Sequence, residues 1–188
     1  MLSMLVLALL TGPQAPASDA AALFDRGVTW DDFLANATAQ RMTWRANADR
    51  AAPPEELVDR LKRVSPGLKI LVIAEPACTD SVNTVPYLAK LAFLTDVPLR
   101  IIDKATGTPI VERHRTPDGR TATPTVVLIR DGVEAGVWVE RPAVLQTWYL
   151  AMLDKIPMEQ RTARKLAWYD WDRGDTTLSE IVVLAEKK

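Results

Sequence analysis

Cys78 and Ser81 stand three apart in the stretch Ala74-Glu-Pro-Ala-Cys-Thr-Asp-Ser-Val-Asn-Thr-Val-Pro-Tyr-Leu88, and Cys78 is the only cysteine among 188 residues. A thiolate attacks disulfides, and its reactivity is set by what surrounds it. The stretch falls where an apolar run gives way to a helical pattern, which places Cys78 in the first turn of a helix. Unpaired N–H groups and the positive end of the helix dipole there favour the thiolate. Ser81, one turn on, is expected to donate a hydroxyl hydrogen bond to the same sulfur. Asp80 and Glu75 act in the other direction, because negative charge nearby favours the neutral thiol. With serine at position 81 there is no second sulfur, so a disulfide at Cys78 needs a partner thiol from another molecule. The alternative is an inert cysteine that fills a helix start as a small apolar residue.

Other chemistries fit poorly. Hydrolysis at Cys78 would need a base, and the single histidine, His114, lies in the charged run Glu112-Arg113-His114-Arg115. A Cys-x5-Arg phosphatase loop fails at Thr84. Walker and dinucleotide glycine patterns are absent, and Gly107, Gly119 and Gly132 read as turn residues. One cysteine and one histidine do not make a zinc or iron–sulfur ligand set, so no metal is expected. A net charge of −1 offers no general attraction for nucleic acid.

The elements that must position Cys78 follow from hydrophobic period. Leu68–Ala74, LKILVIA, is apolar almost throughout, as in a strand buried on both faces near the centre of a parallel sheet. Val82, Val85, Leu88, Ala89 and Ala92 then recur at helical spacing, with Pro86 expected to kink the helix. VPLRIID, 97–103, reads as a second strand, completing a βαβ unit. A short helical piece near 109–115 is followed by turn chemistry at Pro117-Asp118-Gly119. Thr123-Pro124 introduces the strand TVVLI, 125–129, and Asp131-Gly132 turns it into a hairpin through 134–139. Pro142 opens a helix with Leu145, Trp148, Tyr149 and Met152 on one face.

Upstream, Trp30, Phe33, Leu34, Ala37, Trp44 and Ala48 form one helical stripe interrupted by Arg41, capped by Thr29 with Asp32. A second helix carries Leu57, Leu61 and Val64. Downstream, helices are expected near 159–171 and 177–187, with Thr177 and Glu180 spaced as a capping box. Arg161, Arg164 and Lys165 read as a solvated face, with a docking patch as the alternative. Trp168, Tyr169 and Trp171 read as packing for the last helices, or else as a partner groove.

The order β-α-β-(α)-β-β-α, with LKILVIAEPACTDSVNTVPYLAKLA, VPLRIID and GRTATPTVVLIRDGVEAGVWVERP, resembles the thioredoxin-fold superfamily, in particular bacterial thioredoxin-like proteins with an added N-terminal helical region. The resemblance covers roughly residues 20–153. It implies an α/β fold, a three-layer α/β/α sandwich on a mixed central sheet of about four strands, with extra helices at both ends. The expected division is an N-terminal helical addition, 19–66, and a thioredoxin-like domain with its helical extension, 67–188. The resemblance makes Cys78 the nucleophile and Thr123-Pro124 the cis-proline segment that faces it, with Ala77 and Thr79 beside the substrate. Thr79 and Asp80 match the Cys-x-Asp-Cys form of such sites, whereas Ser81 replaces the resolving cysteine. Ala77 stands where an aromatic residue is common, and Val72 where thioredoxin carries a buried acid.

A Cys-x-x-Ser site of this kind implies exchange with a disulfide of a cysteine-containing protein or small thiol. Glutathione or another small thiol would be the co-substrate that completes the cycle, with no bound cofactor. The alternative is a thioredoxin-fold binding or scaffold protein without redox activity. Residues 1–18, MLSMLVLALLTGPQAPAS, carry no charge and resemble a secretory signal ending in Ala15-Pro16-Ala17. That implies a periplasmic or exported protein starting near Ser18. The missing basic residue leaves a cytoplasmic protein as the alternative. The apolar segment is too short for a stable membrane span.

Overall fold

The computed structural model describes residues 19–187; the expected signal segment lies outside them. Among the described residues four helices, α1 (Asp19–Arg26), α2 (Trp30–Ala35), α3 (Arg41–Arg50) and α4 (Glu55–Val64), precede β1 (Leu68–Ile73). The short α5 (Thr79–Val82) and then α6 (Val85–Leu94) lead to β2 (Leu99–Ile102). After α7 (Thr108–Arg113) come β3 (Thr125–Arg130) and β4 (Val133–Val139), then α8 (Ala143–Ala151), α9 (Met158–Asp172) and α10 (Asp175–Ala185). Among the described residues no helix is long and apolar enough to cross a membrane.

The strands form one sheet in the order β2-β1-β3-β4. β1 runs parallel to β2 and antiparallel to β3, and β3 pairs antiparallel with β4. Side chains alternate across a strand, so the apolar run of β1, broken only by exposed Lys69, divides between two layers. Ile70 and Val72 join Val126, Leu128 and Ile101 beneath α3, α4, α6 and α10. Leu71 and Ile73 join Val127 and Ile129 beneath α1 and α7. The result is the expected three-layer α/β/α sandwich on a mixed four-stranded sheet. Fully burying each aliphatic side chain contributes roughly 1.5–3 kcal/mol, and this demand accounts for the continuous LKILVI pattern. Between β3 and β4, Asp131 (φ 51°) and Gly132 (φ 82°) are both left-handed, as a two-residue hairpin turn requires.

Several expectations change. The stripe across 30–48 is two helices, since the chain leaves α2 at Asn36 and turns through left-handed Gln40 before α3. A further helix, α1, was not foreseen; it buries Ala20, Leu23 and Phe24 on the second face of the sheet. Pro86 kinks nothing. The helix divides before it, and proline sits in the first turn of α6, where a missing N–H breaks no helical bond. Thr177 and Glu180 are not a capping box, because α10 begins two residues earlier behind left-handed Gly174. The Glu180 carboxylate instead accepts from Trp138 Nε1 at 2.7 Å and from the Ala143 amide at 2.8 Å, latching α10 to β4 and α8. Thr29 caps α2 as expected, accepting from the Asp32 amide at 3.1 Å.

Candidate functional site

Cys78 is the N-cap of α5, with extended backbone (φ −76°, ψ 121°). An N-cap side chain faces the amide three residues on, and Cys78 Sγ accepts from the Ser81 N–H at 3.4 Å. The thiol in turn donates to the Thr123 carbonyl oxygen at 3.1 Å. The Thr123–Pro124 peptide bond is cis. Cys78 is half-buried, whereas Thr123 and Pro124 are buried. The helix behind Cys78 is a single turn, shorter than the sequence pattern implies, so the sulfur receives one directed amide rather than the dipole of a long helix. Ser81 also acts differently from expectation. Its side chain is fully buried and its hydroxyl has no hydrogen-bond partner among the described residues, so the donor to sulfur is its backbone.

The loop that carries the thiol is fixed from upstream. Trp44 Nε1 and Gln40 Nε2 both donate to the Pro76 carbonyl, at 3.1 and 3.2 Å. Trp44 is fully buried and packs against Trp30 and Phe33 at 6.1 and 5.0 Å between ring centroids. Asn47 Nδ2 donates to the Val82 carbonyl at 2.6 Å, closing the far end of the turn. Glu75 faces away from this work. Its carboxylate accepts from the Lys104 amide at 2.8 Å and ties the loop to the end of β2.

Asp80 is buried, and four donors converge on its carboxylate. Arg141 Nε and Nη2 approach its two oxygens at 3.1 Å each, Lys165 Nζ at 2.9 Å and Tyr169 Oη at 2.9 Å. Two cations thus neutralise the charge expected to oppose the thiolate. Lys165 also donates to the Thr79 hydroxyl at 3.0 Å. Burial works against the Arg141 charge, but Asp80 and Glu140 outweigh it and hold the guanidinium pKa above its ordinary value. Burial, reinforced by the Asp80 charge, pushes the Tyr169 phenol well above its ordinary value. Lys165 corrects the solvated-face reading: it is buried beneath the site, while Arg164 beside it is exposed. Trp171 corrects the packing reading, being 77% exposed, whereas Tyr169 is buried.

Cys78, the Ser81 backbone, Thr123 and Pro124 therefore meet; Ala77 lies exposed on the same loop. His114 stands elsewhere, with Nε2 2.8 Å from Glu134 on β4. Val72 is core. Sequence reasoning missed Gln40, Trp44, Arg141 and the partnership of Lys165 with Tyr169. A buried carboxylate requires cations, but the burial of Asp80, among Thr79, Ser81, Asn83 and Thr84, is not legible in the sequence. Lys165 and Tyr169, four apart on α9, have the spacing to reach one target together.

The family model described as Thioredoxin matches residues 27–161. The search of curated proteins found no match. Among solved structures, an HIV epitope scaffold is similar with a TM-score of 0.70 and 21% identity over 90% of this chain and 98% of that one. A protein of unknown function from Pseudomonas aeruginosa is similar with a TM-score of 0.68 and 23% identity over the same shares. At these identities the two structures speak for the fold alone. The family model spans most of the chain, both halves of the Cys78 site included, and the chain belongs to the thioredoxin family.

Proposed function

We propose that the protein is a monothiol thiol–disulfide exchange protein that forms mixed disulfides at Cys78. The observation that carries this reading is the position of Cys78 Sγ between the Ser81 amide and the Thr123 carbonyl. In the resting thiol the proton lies toward Thr123. When it leaves to solvent, the thiolate keeps the Ser81 N–H, and the vacated carbonyl becomes an acceptor for the backbone of an incoming chain. The thiolate attacks a disulfide: a bond forms between Cys78 Sγ and one substrate sulfur, the substrate S–S bond breaks, and the second sulfur leaves as a thiolate and takes a proton. A small thiol such as glutathione, as its thiolate, then attacks the mixed disulfide at the substrate sulfur and releases the Cys78 thiolate. The cycle exchanges one disulfide for another with no net electron gain or loss by the protein. Ser81 in place of a resolving thiol makes the external thiol obligatory.

The test is incubation with oxidised glutathione or a disulfide-bonded peptide, followed by intact mass. The expected result is one adduct on Cys78, absent from Cys78→Ser and reversed by reduced glutathione. A second reading, a binding protein with no redox step, is favoured by the core position of Val72, which leaves no buried acid in β1 to move protons. It predicts no adduct and an unaltered set of partners in Cys78→Ser.

A further inference from the structure

We propose that the dipeptide Glu140-Arg141, just beyond β4, is the positioning unit of this site, setting the separation between the Cys78 turn and the Thr123–Pro124 turn. Its chemical consequence rests on the exchange reading above; its geometry does not. The two halves of the site lie 45 residues apart in sequence and touch through the contact of Cys78 Sγ with the Thr123 carbonyl. A reacting thiol gives that contact up; the pairing of Ile73 with Thr125 still holds the strands behind the two turns, and a further link is needed at the turns themselves.

Glu140-Arg141 supplies it. Arg141 spans both oxygens of Asp80, two residues after the nucleophile, and its Nη2 also donates to Glu140 Oε1 at 2.8 Å. The Glu140 amide donates to the Pro124 carbonyl at 2.8 Å. The Glu140 carboxylate also accepts from Arg120 Nη1 and Nη2, at 3.2 Å each, on the segment that leads into Thr123. A run of charge-assisted bonds from Asp80 through Arg141 to the Glu140 carboxylate, completed by the backbone bond from the Glu140 amide, thus joins Asp80 to Pro124 without passing through the sulfur. Arg141 is itself fixed by Gln146 Oε1 at 2.8 Å and by the face of Tyr149, 4.2 Å from its guanidinium carbon. Glu140 has left-handed backbone (φ 67°), a conformation that glycine adopts more readily. The carboxylate at that position is accounted for by the two guanidinium groups it binds. Only a planar fork grips Asp80 bidentately while reaching Glu140; a single ammonium does not.

Arg141→Lys keeps the charge and loses the fork, and Glu140→Gly keeps the backbone and its N–H but loses the carboxylate. Each variant is compared with the parent in two reactions of Cys78. Alkylation by iodoacetamide reports the thiol alone, whereas exchange with a disulfide-bonded peptide needs thiol and clamp together. The expected result in both is peptide exchange slowed at least about tenfold, since misplacement by 1 Å costs up to about a hundredfold, with alkylation, for which the thiol loses only its Thr123 acceptor, changed far less. A parallel fall in both reactions, or no change in either, overturns the proposal. Amide hydrogen exchange gives a second readout that needs no redox activity. Residues 78–82 and 121–125 should lose protection together in each variant, and loss confined to one segment, or absent from both, overturns the link. A parent protein that forms no peptide adduct overturns the proposed function instead, and amide exchange then decides the positioning role.

Discussion

Replacing Asp80 by asparagine exchanges one oxygen for an amide nitrogen at almost constant volume, so its effect is electrostatic. The carboxylate faces two Arg141 nitrogens, Lys165 Nζ and the Tyr169 hydroxyl, at distances between 2.9 and 3.1 Å. An amide offers one acceptor oxygen, and its NH2 meets groups that also donate. Arg141 and Lys165, whose side chains are 5% and 6% exposed, would lose the carboxylate they share. Removing one partner of a buried ion pair costs about 3–5 kcal/mol. For a chain of this size each kcal/mol lowers Tm by about 2–4 °C, so the expected fall is roughly 6–20 °C. Urea unfolding followed by tryptophan fluorescence should show a lower midpoint with an unchanged m-value. A loss below about 1 kcal/mol would refute the account, because it would mean that the cations find water or another partner in place of Asp80.

The phenol of Tyr169 gives an alkaline counterpart. Its folded pKa is raised above the unfolded value of about 10, so the stability it contributes is complete below that value and falls as pH rises through and above it. Wild-type stability should therefore decline relative to Tyr169→Phe above about pH 10 in paired urea titrations, and a constant gap would count against it. In the hairpin, a Cβ at Gly136 would lie 2.7 Å from Leu184 Cγ on α10. Gly136→Ala should cost about 1–3 kcal/mol by overpacking, read as a urea midpoint shift, and a neutral result would show that α10 moves freely.

The layers were legible wherever burial dictated residue type. A strand covered on both faces must be apolar along its covered length, and LKILVI, Lys69 apart, and TVVLI read that way without any partner in view. Cys78 and Thr123-Pro124 were placed by a resemblance that carried both halves of the site. What stayed hidden was long-range pairing of polar groups. Lys165 looks like any surface lysine beside Arg161 and Arg164 until Asp80, 85 residues away, is brought against it. The break between α2 and α3 was hidden for a related reason. The apolar spacing continues across it, and left-handed Gln40 carries no glycine signal. Ser81 shows a third limit: spacing placed it one turn from the sulfur, but not which of its groups faces it.

The carbonyl of Pro76, held by Trp44 and Gln40 from 32 and 36 residues upstream, bears on how the molecule comes apart. Trp44 belongs at once to the bed of α2 and α3 and to the loop before Cys78, so opening either one gives up contacts made by the other. These bonds couple α3 and the packing around it to the thiol loop, although the sequence reads as two parts divided at residue 67. A chain trimmed to start at β1 would keep Cys78, Ser81, Thr123 and Pro124 and lose the side chains that shape the loop. The Cys78 turn is in this sense a tertiary product, complete only when residues far from the sulfur have docked.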